Sequence, residues 1–401
     1  MDNNNNTTTT STSSSPNIEE KKKINHLVVL QHGLHGTFED FNTIKNHFIK
    51  QNYDNCVFIS AKSNSYFLAT HDGINKIGTR LYKEVLELYE QYDHPEKISM
   101  IGHSLGGLIT RYAIGLLYRD GFFERCKPDQ FISLSSPHCG SRRPSTTVFN
   151  KIAHVFVDNL LSVTGKQLIL NDLHSLESDS PKTTTVSPTA AETTATSTTT
   201  ETGSPTITII EKKEENEIIT NDQSVPLPLL VRMTEGIFFE GLKQFRKRVL
   251  YSNIYNDIQV NFCTSDISAK NPYTLGKTMK FTEKYKHVIE EETILDIDPE
   301  VLEKLEEDED SNEGYKESNT KQTTKKPHYH HDDSKIDEFF THDTHHLHLK
   351  RILKNLRKLD FVRYHMYFKN FLSHTNIVVK RESINGEGWD IVDHLVDHFE
   401  P

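Results

Sequence analysis

The sequence predicts an α/β fold, with a mostly parallel central sheet and helices on both of its faces. Short apolar runs alternate along the chain with segments of helical spacing, which is the pattern of parallel strands joined by crossover helices. The runs are brief and continuously apolar, as expected for strands buried on both sides. A glycine-flanked serine lies between one such run and a helical pattern, and it indicates the type of α/β fold.

The strands and helices are predicted from local patterns along the chain. Six apolar runs are the predicted strands, namely His26–Leu30, Cys56–Ser60, Ile98–Ile101, Phe131–Leu134, Arg248–Ile254 and Arg363–Phe368. Helical spacing is clearest on either side of the third run. The segment from Gly78 to Tyr92 has one apolar face, and a second helix pattern extends from Leu108 to Leu117.

The third strand candidate leads into a Gly-x-Ser-x-Gly motif. The motif reads Gly102-His103-Ser104-Leu105-Gly106-Gly107. In a strand–turn–helix of this kind the turn is so tight that side chains flanking the serine would clash, which explains the glycines two residues to either side. This is the nucleophile elbow of an α/β-hydrolase, so Ser104 is the predicted nucleophile.

The turn after the first strand candidate is the predicted second half of an oxyanion hole. It reads Gln31-His32-Gly33-Leu34-His35-Gly36. An oxyanion hole needs backbone N–H groups where negative charge develops on the tetrahedral intermediate. The N–H groups of Leu34 and Leu105 are the candidate donors. An ordinary strand-to-loop turn is the alternative interpretation of this segment.

The acid of a catalytic triad is expected on a loop after a strand, between the nucleophile and the histidine in chain order. Asp257 comes directly after the run that ends at Ile254, and it is the predicted acid. Asp266 is the nearby alternative. Asp257 could also serve only in an Asx-turn, which is its structural alternative.

The base cannot be selected by composition because the chain has 22 histidines. His374 follows the last strand candidate and is the predicted base. His394 and His398 lie in a helix pattern whose apolar face fixes its direction, so we expect them to be packed or solvated. His103, beside the nucleophile, and His32, in the oxyanion turn, are expected to be structural.

With these motifs the sequence resembles the serine esterases with a lipase-like domain, a family that includes the ROG-type fungal lipases. The matching segments are 30–36, 70–74, 78–81, 101–107, 135–140, 164–168, 248–253, 256–257 and 373–376. The resemblance implies an α/β-hydrolase with Ser104, Asp257 and His374 as its triad. It also implies that the substrates are lipid esters such as phospholipids or acylglycerols.

Three stretches depart from this pattern and are predicted to be disordered. They are a low-complexity tail at 1–23, a Thr/Ser/Glu-rich insert at about 178–224, and an acidic, then His-rich, insert at about 283–347. Their low apolar content cannot offset the entropy of ordering. The sequence therefore predicts one α/β-hydrolase domain over 24–401, interrupted by the two inserts.

Composition and charge limit the classes of partner and the cellular location that we expect for this protein. The net charge of −11, from 46 basic and 57 acidic residues, argues against nucleic-acid binding. No run is apolar for long enough to span a bilayer, and residues 1–23 lack the apolar segment of a secretory signal. The four cysteines show neither pairing spacing nor a Cys-x-x-Cys motif, which suits a cytoplasmic protein.

No metal and no cofactor is expected. The histidine tract at 328–348 is interpreted as solvated low complexity rather than as a metal site, because its spacing is irregular. Apolar helix patterns at 146–177 and 225–246 are expected either to govern access to the site or simply to pack on the core.

The predicted function is hydrolysis of carboxylic esters by a two-step acyl transfer to Ser104, with His374 as base and Asp257 as its partner. The expected partners are a lipid ester substrate and, at the periphery, a membrane or lipid-droplet surface. Two alternatives stay open: an acyltransferase that uses the same triad, and a catalytically inactive hydrolase fold that serves as an interaction protein.

Overall fold

A six-stranded, wholly parallel sheet forms the centre of the molecule. The computed structural model describes residues 1, 23–53, 55–141, 162–172, 227–269, 271–273, 279–290 and 343–401. Within them the strands are β1 (His26–Gln31), β2 (Cys56–Ser60), β3 (Lys97–His103), β4 (Lys127–Leu134), β5 (Lys247–Asn253) and β6 (Val362–Met366). The order across the sheet is β2-β1-β3-β4-β5-β6. The predicted α/β class with a parallel sheet is confirmed.

Helices cover the sheet on both faces. The α-helices of the described residues are α1 (Asn42–Lys50), α2 (Ile74–Gln91), α3 (Leu105–Arg119), α4 (Phe122–Arg125), α5 (Val163–Leu168), α6 (Leu229–Arg232), α7 (Gly236–Lys243), α8 (Phe262–Ser265), α9 (Asp343–Leu356), α10 (Ser373–Asn376), α11 (Glu382–Asn385) and α12 (Trp389–Asp397). Short 3₁₀ helices lie at Phe38–Phe41, Ala69–His71 and Gly386–Gly388. No helix of the described residues is both long and apolar enough to cross a membrane.

The two faces of the sheet bury separate hydrophobic cores, because successive side chains of a strand point to opposite faces. In β1, Leu27 and Val29 pack with α2, α3, α7 and α9, whereas Val28 and Leu30 pack with α1 and α12. All four side chains are fully buried. A continuous apolar strand is therefore explained by helices on both sides.

The predicted late insert has different bounds in the structure. Tyr285, Val288 and Ile289 are buried, and Val288 forms an antiparallel bridge to Met366 of β6. At the other end α9 already begins at Asp343. The prediction that 283–347 is disordered is wrong at both of these ends. At the first end the cause is the packing of Tyr285, Val288 and Ile289 onto the body of the domain, and at the second it is the start of a helix.

Other predicted features lie wholly or partly outside the described residues. These are nearly all of the tail at 1–23, the insert at 178–224, the centre of the late insert and most of the histidine tract. In the second of the two apolar helix patterns, α7 packs on α3, with Phe238 against Gly115. The described part of that pattern thus packs on the core.

Candidate active site

Ser104 lies in a strained turn between β3 and α3. Its backbone has φ 55° and ψ −129°, a conformation that non-glycine residues rarely adopt. The turn is fixed by hydrogen bonds from Ser104 N to the Leu134 carbonyl at 2.9 Å and from Gly107 N to the Ser104 carbonyl at 3.1 Å. Such strain persists only where the surroundings determine it, and it is concentrated at functional sites.

Two glycines allow the turn and the loop after β1 to approach closely. A Cβ on Gly106 would collide with the carbonyl oxygen of Gln31. A Cβ on Gly33 would lie 2.7 Å from the Ser104 Cβ. The glycines that the motif requires therefore serve to bring the oxyanion turn against the serine.

The structure brings the three predicted residues together. The Nε2 of His374 lies 2.9 Å from the Oγ of Ser104, and its Nδ1 lies 2.9 Å from the Oδ2 of Asp257. The three residues are 8%, 4% and 8% exposed in the order Ser104, His374, Asp257. In a neutral imidazole with its proton on Nδ1, Nδ1–H donates to the carboxylate and Nε2 accepts from the serine hydroxyl.

The predicted acid lies where the sequence places it, whereas the position of the predicted base differs slightly from the expectation. Asp257 lies on the loop four residues after β5, as expected. His374 lies not on an open loop but in the single-turn helix α10 that follows β6. Because α10 has only four residues, its side chains are not committed to a long apolar face, and the imidazole reaches Ser104.

The carboxylate of Asp257 is ionised despite its burial. Burial acts to raise its pKa, but the adjacent His374 and hydrogen bonds from Ser135 and Val260 outweigh burial, so the pKa lies below its usual value. A buried carboxylate that accepts several hydrogen bonds is stabilised in its charged form. The charge is therefore available to an imidazolium at His374.

The alternative acid has a separate partner. The Oδ1 of Asp266 lies 2.8 Å from the Nε2 of the buried His365, whose Nδ1 lies 2.7 Å from the hydroxyl of Tyr273. Neither group contacts Ser104 or His374. Asp266 thus belongs to a structural cluster beside β6.

The alternative bases are also engaged elsewhere. The Nδ1 of His394 lies 2.9 Å from the hydroxyl of Tyr251, and its ring stacks on that of His398 at a centroid distance of 3.9 Å. Burial and the neighbouring His398 lower the pKa of His394 to about 3. His394 on α12 is thus packed, and the exposed His398 directly follows that helix, which agrees with the expectation that they are packed or solvated.

The histidine inside the elbow contacts the backbone of the predicted base. The Nε2–H of His103 donates to the carbonyl oxygen of His374 at 2.8 Å. Burial, and then the proximity of His374, lower the pKa of His103 to about 3. His103 is therefore neutral at physiological pH and holds the backbone of α10.

The oxyanion turn is held by His32. The Nδ1–H of His32 donates to the Gly33 carbonyl at 3.0 Å, and Nε2 lies 3.1 Å from the hydroxyl of Ser65. Burial lowers the pKa of His32, so the ring is neutral. Leu34 and Leu105 line the cleft beside Ser104, and neither backbone N–H donates a hydrogen bond within the described part of the chain. As the first residue of α3, Leu105 has an N–H without an intrahelical acceptor.

A cleft opens over Ser104. Its volume is about 390 Å³, which falls within the range of small-molecule sites. Seven apolar side chains line it, namely those of Leu34, Leu105, Pro137, Leu168, Ile258, Val260 and Phe371. On one side an ion pair joins Lys380 Nζ to Asp40 Oδ2 at 2.8 Å. Across the described ranges, no three His, Cys, Asp or Glu side chains cluster as metal ligands would.

Sequence reasoning missed two residues that contact the carboxylate. The Oγ of Ser135 lies 2.5 Å and the Nδ2 of Asn253 lies 2.9 Å from Asp257 Oδ2. Their positions in the sequence could have indicated them, because they lie at the ends of β4 and β5, at the same edge of the sheet as Ser104. Position alone does not separate Ser135 from Ser136.

A strained serine after a parallel strand, with an imidazole and a carboxylate at the same sheet edge, defines the α/β-hydrolase fold. Residues 21–269, more than half of the chain, match the family described as "Putative serine esterase (DUF676)". The chain belongs to this family.

Two yeast proteins are among its relatives. It is 28% identical over 254 residues to "Putative lipase ROG1" of Saccharomyces cerevisiae, a match of 62% of this chain and 29% of that protein. It is 26% identical over 269 residues to "Putative lipase C4A8.10" of Schizosaccharomyces pombe, a match of 64% of this chain and 27% of that protein. The chain spans less than a third of the length of these relatives.

Solved structures give only a distant likeness. The mature lipase BlEst2 of Bacillus licheniformis is 18% identical, with 37% of this chain and 57% of that chain covered and a TM-score of 0.26. The RedJ thioesterase of Streptomyces coelicolor is 17% identical, with 34% and 50% covered and a TM-score of 0.25. The fold assignment rests on the sheet topology and not on these scores.

Proposed function

We propose that this protein hydrolyses carboxylic esters of lipids through an acyl-enzyme on Ser104. The observation that carries the proposal is the continuous chain of contacts from Ser104 Oγ through the His374 imidazole to the Asp257 carboxylate, each at 2.9 Å. Family membership supports an esterase, and the names of the yeast relatives support a lipase.

The first step forms the acyl-enzyme. Ser104 Oγ attacks the ester carbonyl carbon while His374 Nε2 takes its proton, and the resulting imidazolium is stabilised by Asp257. The N–H groups of Leu34 and Leu105 stabilise the negative charge on the carbonyl oxygen of the tetrahedral intermediate. The intermediate collapses when His374 returns the proton to the departing alcohol oxygen.

The second step releases the acid. A water molecule gives a proton to His374 and attacks the acyl carbon, and the second tetrahedral intermediate expels Ser104 Oγ, which regains its proton from His374. Attack by a second alcohol instead of water would give acyl transfer.

The apolar cleft supports lipid esters as the substrate class. Aliphatic side chains such as Leu34, Leu168 and Ile258 line it, and Phe371 at its edge is 68% exposed. Burial of an acyl chain against such a wall contributes about 0.8 kcal/mol per methylene group. Peripheral contact with a membrane or lipid-droplet surface stays a prediction, and the 89% exposed Phe67 and the exposed Phe371 are the side chains to test for it.

The experiment compares the wild type with Ser104→Ala on p-nitrophenyl esters of graded chain length and on phospholipid and acylglycerol substrates. We expect turnover to fall roughly 10⁶-fold in the variant, because the triad acts as a unit. Ser136→Ala is the matched control, since Ser136 is completely buried and its hydroxyl has no hydrogen-bond partner among the described residues. Equal turnover by folded Ser104→Ala would refute the proposal, and glycerol as a competing acceptor separates hydrolysis from transfer.

A further inference from the structure

The carboxylate of Asp257 accepts hydrogen bonds on both oxygens. Oδ1 accepts the backbone N–H groups of Gln259 at 3.1 Å and Val260 at 2.8 Å. Oδ2 accepts the Nδ1–H of His374 at 2.9 Å, and the same oxygen accepts two further side-chain donors. These are the Nδ2–H of Asn253 at 2.9 Å and the hydroxyl of Ser135 at 2.5 Å.

We propose that Ser135 and Asn253 are positioning residues that hold the Asp257 carboxylate in the orientation in which it accepts the Nδ1–H of His374. The proposal rests on the proposed ester hydrolysis. Neither residue contacts Ser104 or the cleft, so both act through Asp257.

Several donors on one carboxylate determine where the imidazole proton lies. The contacts of Asp257 from Asn253, Gln259 and Val260 are N–H groups, which can only donate. A proton on either carboxylate oxygen would compete with the donors that this oxygen accepts, so the ionised form of Asp257 is favoured and accepts the proton on Nδ1 of His374. Nε2 is then free to accept from Ser104, which is the tautomer that the base needs.

The backbone supports this arrangement at Ser135. Its φ of 46° is left-handed, and its N–H donates to the Tyr251 carbonyl at 2.8 Å, which fixes the end of β4 against β5. Ser135 and Asn253 are both completely buried, so no water competes for Oδ2 from their side. Strained backbone of this kind is retained where it positions a functional group.

The chain offers a matched control beside each residue. Ser136 follows Ser135, and Ser252 precedes Asn253. Both control serines are completely buried, and neither hydroxyl has a hydrogen-bond partner among the described residues. Replacing a control serine by alanine removes a buried hydroxyl without touching Asp257.

The test measures kcat, KM and the pH profile of Ser135→Ala and Asn253→Ala against Ser136→Ala and Ser252→Ala, all on p-nitrophenyl butyrate. Because a hydrogen bond to a charged group is lost, we expect kcat to fall about 10- to 100-fold with KM unchanged. The controls should retain the wild-type kcat.

The pH profile distinguishes positioning from a general loss of structure. The titratable groups that act electrostatically with Asp257 are His374 and His103. Removal of a donor makes the carboxylate more basic, so the acid limb of kcat/KM should move to higher pH. A residue that serves only the fold would lower the melting temperature and leave that limb in place.

Ser135→Gly guards against misfolding of Ser135→Ala, because glycine accepts the positive φ while still lacking the hydroxyl. Both variants should show the same loss and the same shift. If they match Ser136→Ala in kcat and pH profile, positioning by Ser135 is wrong although ester hydrolysis stands. If the wild type turns over no ester and a fluorophosphonate does not label Ser104, the proposed function and this inference fall together.

Discussion

Replacing His374 or His394 by alanine is the sharpest test of which histidine acts as the base. The Nε2 of His374 lies 2.9 Å from Ser104 Oγ, whereas the Nδ1 of His394 lies 2.9 Å from the hydroxyl of Tyr251. A base must lie within hydrogen-bond reach of the proton that it takes. We therefore expect His374→Ala to abolish turnover and His394→Ala to spare it.

His374→Ala is expected to lose catalytic activity, whereas His394→Ala is expected to lose stability. Loss of a triad histidine lowers kcat by roughly 10⁶-fold, which corresponds to about 8 kcal/mol in the activation barrier. His374→Ala should achieve this with little change in melting temperature. His394→Ala leaves a cavity and a buried Tyr251 hydroxyl without its partner, so we expect about 2–4 kcal/mol less stability.

The assay combines p-nitrophenyl butyrate kinetics with thermal unfolding followed by circular dichroism, and each kcat is normalised to the folded fraction. A His394→Ala protein that is folded and inactive, beside an active His374→Ala protein, would refute the assignment. The base would then have to lie on α12, and the contact between His374 and Ser104 would have no catalytic meaning.

Three more outcomes are expected. Asp257→Asn should lower kcat by about 10⁴-fold, because it favours the wrong imidazole tautomer, whereas Asp266→Asn should lower the melting temperature without a comparable loss of kcat. Stability should fall as the pH drops below about 6.5, the ordinary histidine pKa, because the pKa values of buried His103 and His394 are lowered to about 3 and the unfolded chain binds the extra protons. Each such histidine contributes a slope of up to about 1.4 kcal/mol per pH unit, and denaturant melts at pH 7, 6 and 5 measure it. A stability that stays constant over that range would refute the assignment of a neutral state to these buried histidines. Deletion of 178–224 should leave the melting temperature nearly unchanged, since loop-closure entropy varies slowly with length, and a collapsed transition in calorimetry would show that the segment is packed.

The sheet could be predicted from the sequence because its strands are locally encoded. The Cys56–Ser60 run has the same bounds as β2, and the run ending at Leu134 ends with β4. The start of β4 was missed by four residues, since Lys127, Asp129 and Gln130 carry polar side chains and the remaining residue is Pro128. These residues continue the strand because β3 and β5 pair with it on either side.

Contacts between distant segments could not be predicted in the same way. Ser135 and Asp257 are separated by 122 residues, and the pair becomes visible only when β4 and β5 lie side by side. The packing of Val288 on Met366 is a similar case, since nothing in the charged sequence around Val288 indicates a partner in β6. By contrast, the order of serine, acid and histidine along the chain predicted that the three side chains lie close together, because the carboxyl ends of parallel strands lie at the same edge of the sheet.

The meeting of the three predicted site residues at one edge of the sheet has a consequence for how the protein folds. Ser104, Asp257 and His374 follow β3, β5 and β6, and β6 forms one border of the sheet. Pairings between parts so far apart along a chain are slow to form. During refolding, the helical circular dichroism signal should thus recover before the ability to cleave an ester. The delay before ester cleavage returns would measure when β6 pairs with the sheet.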